Sequence, residues 1–162
     1  MDRPTLFVTN LSFAGGHGPG AKFGVMLNPR PFERADGRVV ALTYPNTPLF
    51  QRLLHAARQE RDEQPEGDIG PAMAALKASY EAHLQTMEVE EGDMMASTNA
   101  GEVHVKDGDT LFCCCSRAHA AQGRCHRVWM VPKLQEAGWD VVLDGVRVPP
   151  LDEPLSSSVP RR

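Results

Sequence analysis

Thr110-Leu111-Phe112-Cys113-Cys114-Cys115, a polar stretch, Cys125-His126-Arg127, a helically spaced run over 128–137 that stops at Gly138, and then Trp139-Asp140-Val141-Val142-Leu143 form one continuous passage. It reads strand, loop, helix, strand. Threonine, leucine and phenylalanine suit a pleated, half-buried surface, and glycine just past a periodic run ends a helix. Every cysteine of the chain lies in this passage, beside a histidine and an arginine.

Upstream, Thr5–Asn10 reads as a first strand that runs into a glycine-rich loop, Gly15-Gly16-His17-Gly18-Pro19-Gly20. Short apolar runs over 23–27 and 38–44 read as strands, the second entered through the Asp36-Gly37 turn. Thr47-Pro48 is a cap followed by proline at the first helical position, and Leu49, Phe50, Leu53, Leu54 and Ala57 share one face of a helix ending near Glu63. A charged loop over 61–70 follows. A second helix starts at Pro71, with Met73, Leu76, Tyr80, Leu84 and Met87 as its apolar stripe. Residues 92–101 read as irregular, 102–106 alternate polar and apolar, and Asp107-Gly108 is a turn signal before the cysteine strand.

Strands and helices that alternate without a hairpin ladder favour an α/β fold. The expectation is a mostly parallel sheet with helices on both faces, a Rossmann-like layered sandwich in a single domain over 1–147. Residues 148–162 read as a tail, disordered unless docked. Such sheets bind ligands at the carboxyl ends of their strands, where the loops after Asn10 and Cys115 both sit.

The chain has 162 residues and a formal net charge of −4. That charge excludes a global attraction for nucleic acid or anionic membrane, so any such binding needs a local basic patch. No apolar run approaches the roughly 20 residues of a spanning helix. A cytoplasmic protein without a membrane association is expected. Its thiols would then stay reduced and serve as metal ligands, catalytic groups or small core residues.

Within the cysteine strand the side chains alternate, so Cys113 and Cys115 share one face and Cys114 shares the other with Phe112. Cys113 and Cys114 read as core packing, and Cys115 is balanced between packing and a site. Cys125 is delivered by a polar loop to a helix start, where unpaired N–H groups favour a low-pKa thiolate. His126 beside it could position that thiolate or move a proton. Arg117, Arg124 and Arg127 surround the same loop and could cradle a phosphate or carboxylate. Thr9 and Asn10 would add polar contacts from the neighbouring strand end. Cys115, His119, Cys125 and His126 are of the types zinc takes, although no Cys-x-x-Cys pair is present. The glycine-rich loop fails as a Walker A motif, because Ala21 separates Gly20 from Lys22 and Phe23 follows. Pro132 should kink or split the last helix.

Leu111-Phe112-Cys113-Cys114-Cys115, then Cys125-His126-Arg127, then Trp139-Asp140-Val141-Val142 resembles the C-terminal half of the domain of unknown function 488 family. Phe7-Val8-Thr9-Asn10 with Phe13 is similar to that family's opening strand. The resemblance implies an α/β sandwich and places Cys115 or a neighbour, Cys125, His126 and Arg127 on the family's motif. Here the loop before Cys-His-Arg is longer, Leu11-Ser12 precede Phe13, and Pro132 interrupts the helix.

Three functions follow as expectations. The first is a domain that binds a phosphate-bearing ligand, a nucleotide or nucleic acid, with Cys125 and His126 carrying any base- or nucleotide-modifying chemistry. The second is a non-catalytic binding module around a structural Cys/His zinc cluster. The third is a redox-sensing protein with Cys115 and Cys125 as a reversible pair.

Overall fold

A computed structural model of the chain describes residues 3–26, 35–64, 69–87 and 94–150. Its strands are β1 (Thr5–Asn10), β2 (Lys22–Gly24), β3 (Gly37–Arg38), β4 (Met95–Thr98), β5 (Gly101–His104), β6 (Thr110–Cys113), β7 (Asp140–Leu143) and β8 (Val146–Arg147). Its helices are α1 (Pro48–Glu63), α2 (Pro71–Gln85), α3 (Arg117–Ala121), α4 (His126–Trp129) and α5 (Val131–Glu136). The strands form one sheet in the order β5-β4-β3-β2-β6-β1-β7-β8. The run from β3 to β7 is parallel, while β4, β5 and β8 add antiparallel edges. An α/β fold with a mostly parallel mixed sheet is therefore present.

β6 lies inside that parallel run, and all four of its residues are buried. Leu6, Val8, Leu111, Cys113, Phe23 and Val141 point to one face and join a single core with the buried residues of all five helices. Each fully buried Leu, Val or Phe in that core contributes about 1.5–3 kcal/mol relative to exposure. The opposite face of β1 and β6 presents Phe7, Thr9, Thr110 and Phe112. There the cover is the glycine-rich segment 11–20, where a helix was expected. Gly18 N donates to Thr110 Oγ1 at 2.8 Å, and the His17 and Phe112 rings lie 6.5 Å apart.

α1 starts as its sequence dictates, with Thr47 Oγ1 accepting from Phe50 N at 3.2 Å. α2 has no side-chain cap of its own. Glu60 of α1 supplies one, accepting from Ala72 N at 2.8 Å and Met73 N at 3.0 Å. That carboxylate satisfies two otherwise unpaired donors at the positive helix end and ties the two helices together. Tyr80 then donates to Leu42 O at 2.9 Å from within the core.

Several expectations change. The run over 38–44 keeps only Arg38 in a strand and turns through a 3₁₀ segment, Val40–Leu42. Val39, Leu42 and Thr43 are buried while Val40 and Ala41 are exposed, a pattern no alternating strand produces. Leu49, assigned to the apolar face of α1, is 51% exposed. Residues 95–98, read as irregular, form β4. The polar loop after Cys115 contains α3, capped by Ser116 Oγ accepting from His119 N at 3.0 Å. Pro132 splits the last helix into α4 and α5, because it has no N–H to continue the first ladder. Leu27 and Pro29, parts of the second run and its stop, lie outside the described residues, as do residues 151–162. Of the tail read at 148–162, Val148 N bonds Val141 O at 2.8 Å, and Pro149 O accepts from Gln135 Nε2 at 2.7 Å.

Candidate functional site

The carboxyl ends of β1, β2, β6 and β7 lie on one edge of the sheet, and α4 enters there with Cys125 as its N-cap. Cys113 at the end of β6, Cys115 two residues on, and Cys125 bring their sulfurs within 4.8 Å of one another. Cys113 Sγ and Cys125 Sγ are 3.2 Å apart. Cys113 and Cys125 are buried, Cys115 is half-buried, and Cys114 is exposed. Cys114 therefore does not pack in the core as expected: its strand ends at Cys113 and the chain turns it to solvent.

Arg127 holds this group together from beneath. Its side chain is 0% exposed and forms an ion pair with Asp144 at 3.0 Å. Nη1 donates to Cys115 O at 2.7 Å and to the sulfurs of Cys113 at 3.1 Å and Cys125 at 3.7 Å. Asp144 Oδ1 accepts in turn from Thr9 Oγ1 at 2.9 Å. A guanidinium out of water needs this density of acceptors, since an unpaired buried charge costs several kcal/mol. Asp144 stands at φ 48°, followed by Gly145 at 84°. Two successive positive φ values make the tight β7–β8 turn that aims the carboxylate at Arg127.

His126 is buried, with Nε2 2.7 Å from Val25 O. A carbonyl only accepts, so Nε2 carries the proton and Nδ1, 3.9 Å from Cys125 Sγ, does not. Burial lowers the His126 pKa and keeps the ring neutral, wedged 4.4 Å from the Tyr44 ring and 5.5 Å from the Tyr80 ring.

The three thiols shift one another's pKa in opposite directions. Hydrogen bonds from Cys113 and Cys125 lower the Cys115 pKa well below that of a free thiol, with help from the Arg61 charge. The Cys113 pKa is pushed up to about 12, first by its hydrogen bond to Cys115. Burial pushes Cys125 up, and its bonds to Cys113 and Cys115 add to that. The thiolate expected at Cys125 thus falls to Cys115. The reason is physical: α4 has only four residues, too few for a strong dipole, whereas Cys125 is wholly desolvated. Burial works against charge on Arg127, but Cys113, Cys125 and Asp144 raise its pKa further.

Beside Cys115 opens a cleft of about 800 Å³ between α1, α2 and the 113–119 segment. Its lining includes Met26, Tyr44, Leu54, Met73, Leu76, His126, His119 and three arginines, Arg58, Arg61 and Arg124, with no Asp or Glu among the described residues. Arg61 Nε is buried without a hydrogen-bond partner among the described residues, and Asp62 Oδ1 is 3.6 Å away. The volume is that of a small-ligand pocket.

The remaining predicted residues have other places. Arg124 lines the cleft and donates to Gln64 O at 2.6 Å. Arg117 is exposed and sits over the Phe13 ring at 3.9 Å, outside the cleft lining. Asn10 Oδ1 accepts from Phe13 N at 2.7 Å, which closes a turn. Thr9 serves Asp144. His119 lines the cleft but is not in the metal-capable group, which is Cys113, Cys115 and Cys125. Sequence reasoning missed Cys113 as a site residue, Arg58, Arg61, Tyr44 and Asp144. Asp144-Gly145, a turn dipeptide at a strand's carboxyl end, was the available signal for the last of these.

No family model, curated protein or solved structure matches the chain. No helix among the described residues is long and apolar enough to cross a membrane.

Proposed function

We propose that the protein binds a phosphate-bearing ligand, a nucleotide or a nucleic-acid end, in the cleft between α1 and α2. Cys115 then acts on it as a thiolate nucleophile. The observation that carries this reading is the cleft lining: three arginines, no carboxylate among the described residues, and Cys115 in the wall beside Cys113 and Cys114. Arginine forks match phosphate oxygens in pairs, and a cleft lined by one sign of charge concentrates anions. The role first assigned to Cys125 passes to Cys115, because an attacking thiolate must be both ionised and reachable. Cys113, Cys125 and Arg127 would position and electrostatically hold it. In this reading the chain is a relative of the domain of unknown function 488 family, with Cys125-His126-Arg127 as the shared motif.

Protection of Cys115 from iodoacetamide by ATP tests the ligand half. The expected result is saturable protection that weakens as salt rises. It should weaken by about tenfold or more in the Arg58→Ala, Arg61→Ala double variant, as loss of charged hydrogen bonds predicts. Alkylation at the same rate with and without nucleotide would remove the reading.

A second reading has its own observation. Three sulfurs within 4.8 Å of one another could hold a soft or borderline metal ion such as zinc. Arg127 bears on the fit, since its Nη1 already donates to two of those sulfurs. A bound metal would make Cys115 inert to alkylation until a chelator removed the ion.

A further inference from the structure

The three clustered thiols are unequally reachable. Cys115 is half-buried and borders the cleft, whereas Cys125 is buried and absent from the cleft lining. Cys113 and the exposed Cys114 also line the cleft, but of the three clustered sulfurs Cys115 is the least buried, and an incoming molecule meets it before the other two. Whatever becomes bonded to Cys115 then lies beside a second sulfur that solvent cannot reach. This is the arrangement of an attacking thiol and a resolving thiol. Cys113 is the poorer resolving candidate, because Arg127 Nη1 holds its sulfur at 3.1 Å, against 3.7 Å for Cys125.

We infer that the site performs thiol–disulfide exchange on a small anionic disulfide, with Cys115 attacking and Cys125 resolving. The inference rests on the reading of the cleft as an anion site, widened from phosphate to a small anion of either kind, and names a disulfide as the group Cys115 attacks. In the first step the Cys115 thiolate attacks one sulfur of the disulfide RSSR. A Cys115–SR bond forms, the RS–SR bond breaks, and RS⁻ leaves with the electron pair. In the second step Cys125 attacks Cys115 Sγ, the Cys115–SR bond breaks, and the Cys125 proton leaves with the second thiol as RSH. The protein loses two electrons to RSSR and ends with a Cys115–Cys125 disulfide. Arg58 and Arg61 select the anion, and the resolving sulfur lies within 4.8 Å of Cys115 Sγ.

The test compares oxidised glutathione, an anionic disulfide, with cystamine, a cationic one, on the full chain, and maps every cysteine by mass spectrometry over time. Oxidised glutathione should form a mixed disulfide on Cys115 that converts to a Cys115–Cys125 bond. Cys125→Ser should trap the mixed disulfide. Oxidised glutathione should outpace cystamine by about tenfold, the kind of rate gain a one-sign cleft provides, and Arg58→Ala with Arg61→Ala should bring that ratio near one. A mixed disulfide on Cys115 that keeps its anion preference but never advances would overturn the exchange and leave the cleft reading standing. Equal rates for the two disulfides would overturn both.

Discussion

Two loops leave neighbouring strands at the carboxyl edge of the sheet, and they are put to opposite uses. The segment after β1 (11–20) is rich in glycine and looks made for a ligand, yet it is packed against its own sheet. A Cβ at Gly18 would collide with the Phe7 ring and Gly108 O, and one at Gly20 with Asp109 Oδ1. The segment after β6 carries arginines, His119 and cysteines among small residues instead, and it is this one that borders a cleft and, with Cys113 at the strand's end, gathers three sulfurs. Glycine marks close approach in both cases one might imagine, to a ligand or to the protein itself. What separates them is whether space remains after folding. Here the space that remains is lined by Arg58, Arg61 and Arg124.

The widest gap between the loops should appear when their anchors are removed. Arg127→Ala leaves Asp144 without its cation and Cys115 O and Cys113 Sγ without a donor. The expected loss is about 3–5 kcal/mol in urea unfolding, the range for breaking a buried ion pair. A loss under about 1 kcal/mol, the worth of an exposed pair, would mean the guanidinium is not the organising element.

Gly18→Ala probes the packed loop. Overfilling a well-packed contact costs about 1–3 kcal/mol, so a fall of that size is expected, with the alkylation rate of Cys115 unchanged. An altered Cys115 rate at unchanged stability would reverse the comparison and make 11–20 part of the site.

How much of this was legible beforehand follows from what each signal encodes. Thr47-Pro48 and the Pro71 stripe predicted α1 and α2 well, because caps and 3.6-residue spacing are local. The strands read at 110–115 and 139–143 were equally local, and the loop after the first led to the carboxyl edge where the three sulfurs gather. Val39 to Thr43 misled because an apolar run has the same composition whether it extends or turns. Cys125 misled for a different reason. A helix N-terminus lowers a thiol pKa only if the helix is long and the sulfur solvated. Pro132 shortened α4, and the core took the sulfur, both consequences of tertiary structure. Arg58 and Arg61 were invisible as site residues. They follow Leu54 and Ala57 by one turn, so helical spacing sets them beside the apolar face of α1, but their charge reads as solvated and only the position of the 113–119 segment turns them into a wall.

The account stands on Cys115 being the ionised, reachable sulfur of the three. The direct measurement is the alkylation rate of each cysteine against pH in the reduced native protein, mapped by mass spectrometry. A free thiol with a pKa of about 8.5 gains roughly tenfold in rate per pH unit below that value. Cys115, with its pKa lowered, should already be ionised at pH 6 and react at a nearly constant rate from there to pH 8. Cys113 and Cys125, buried and with raised pKa values, should stay inert across that range. Rapid, pH-independent modification of Cys125 with Cys115 unreactive would contradict the account at its centre.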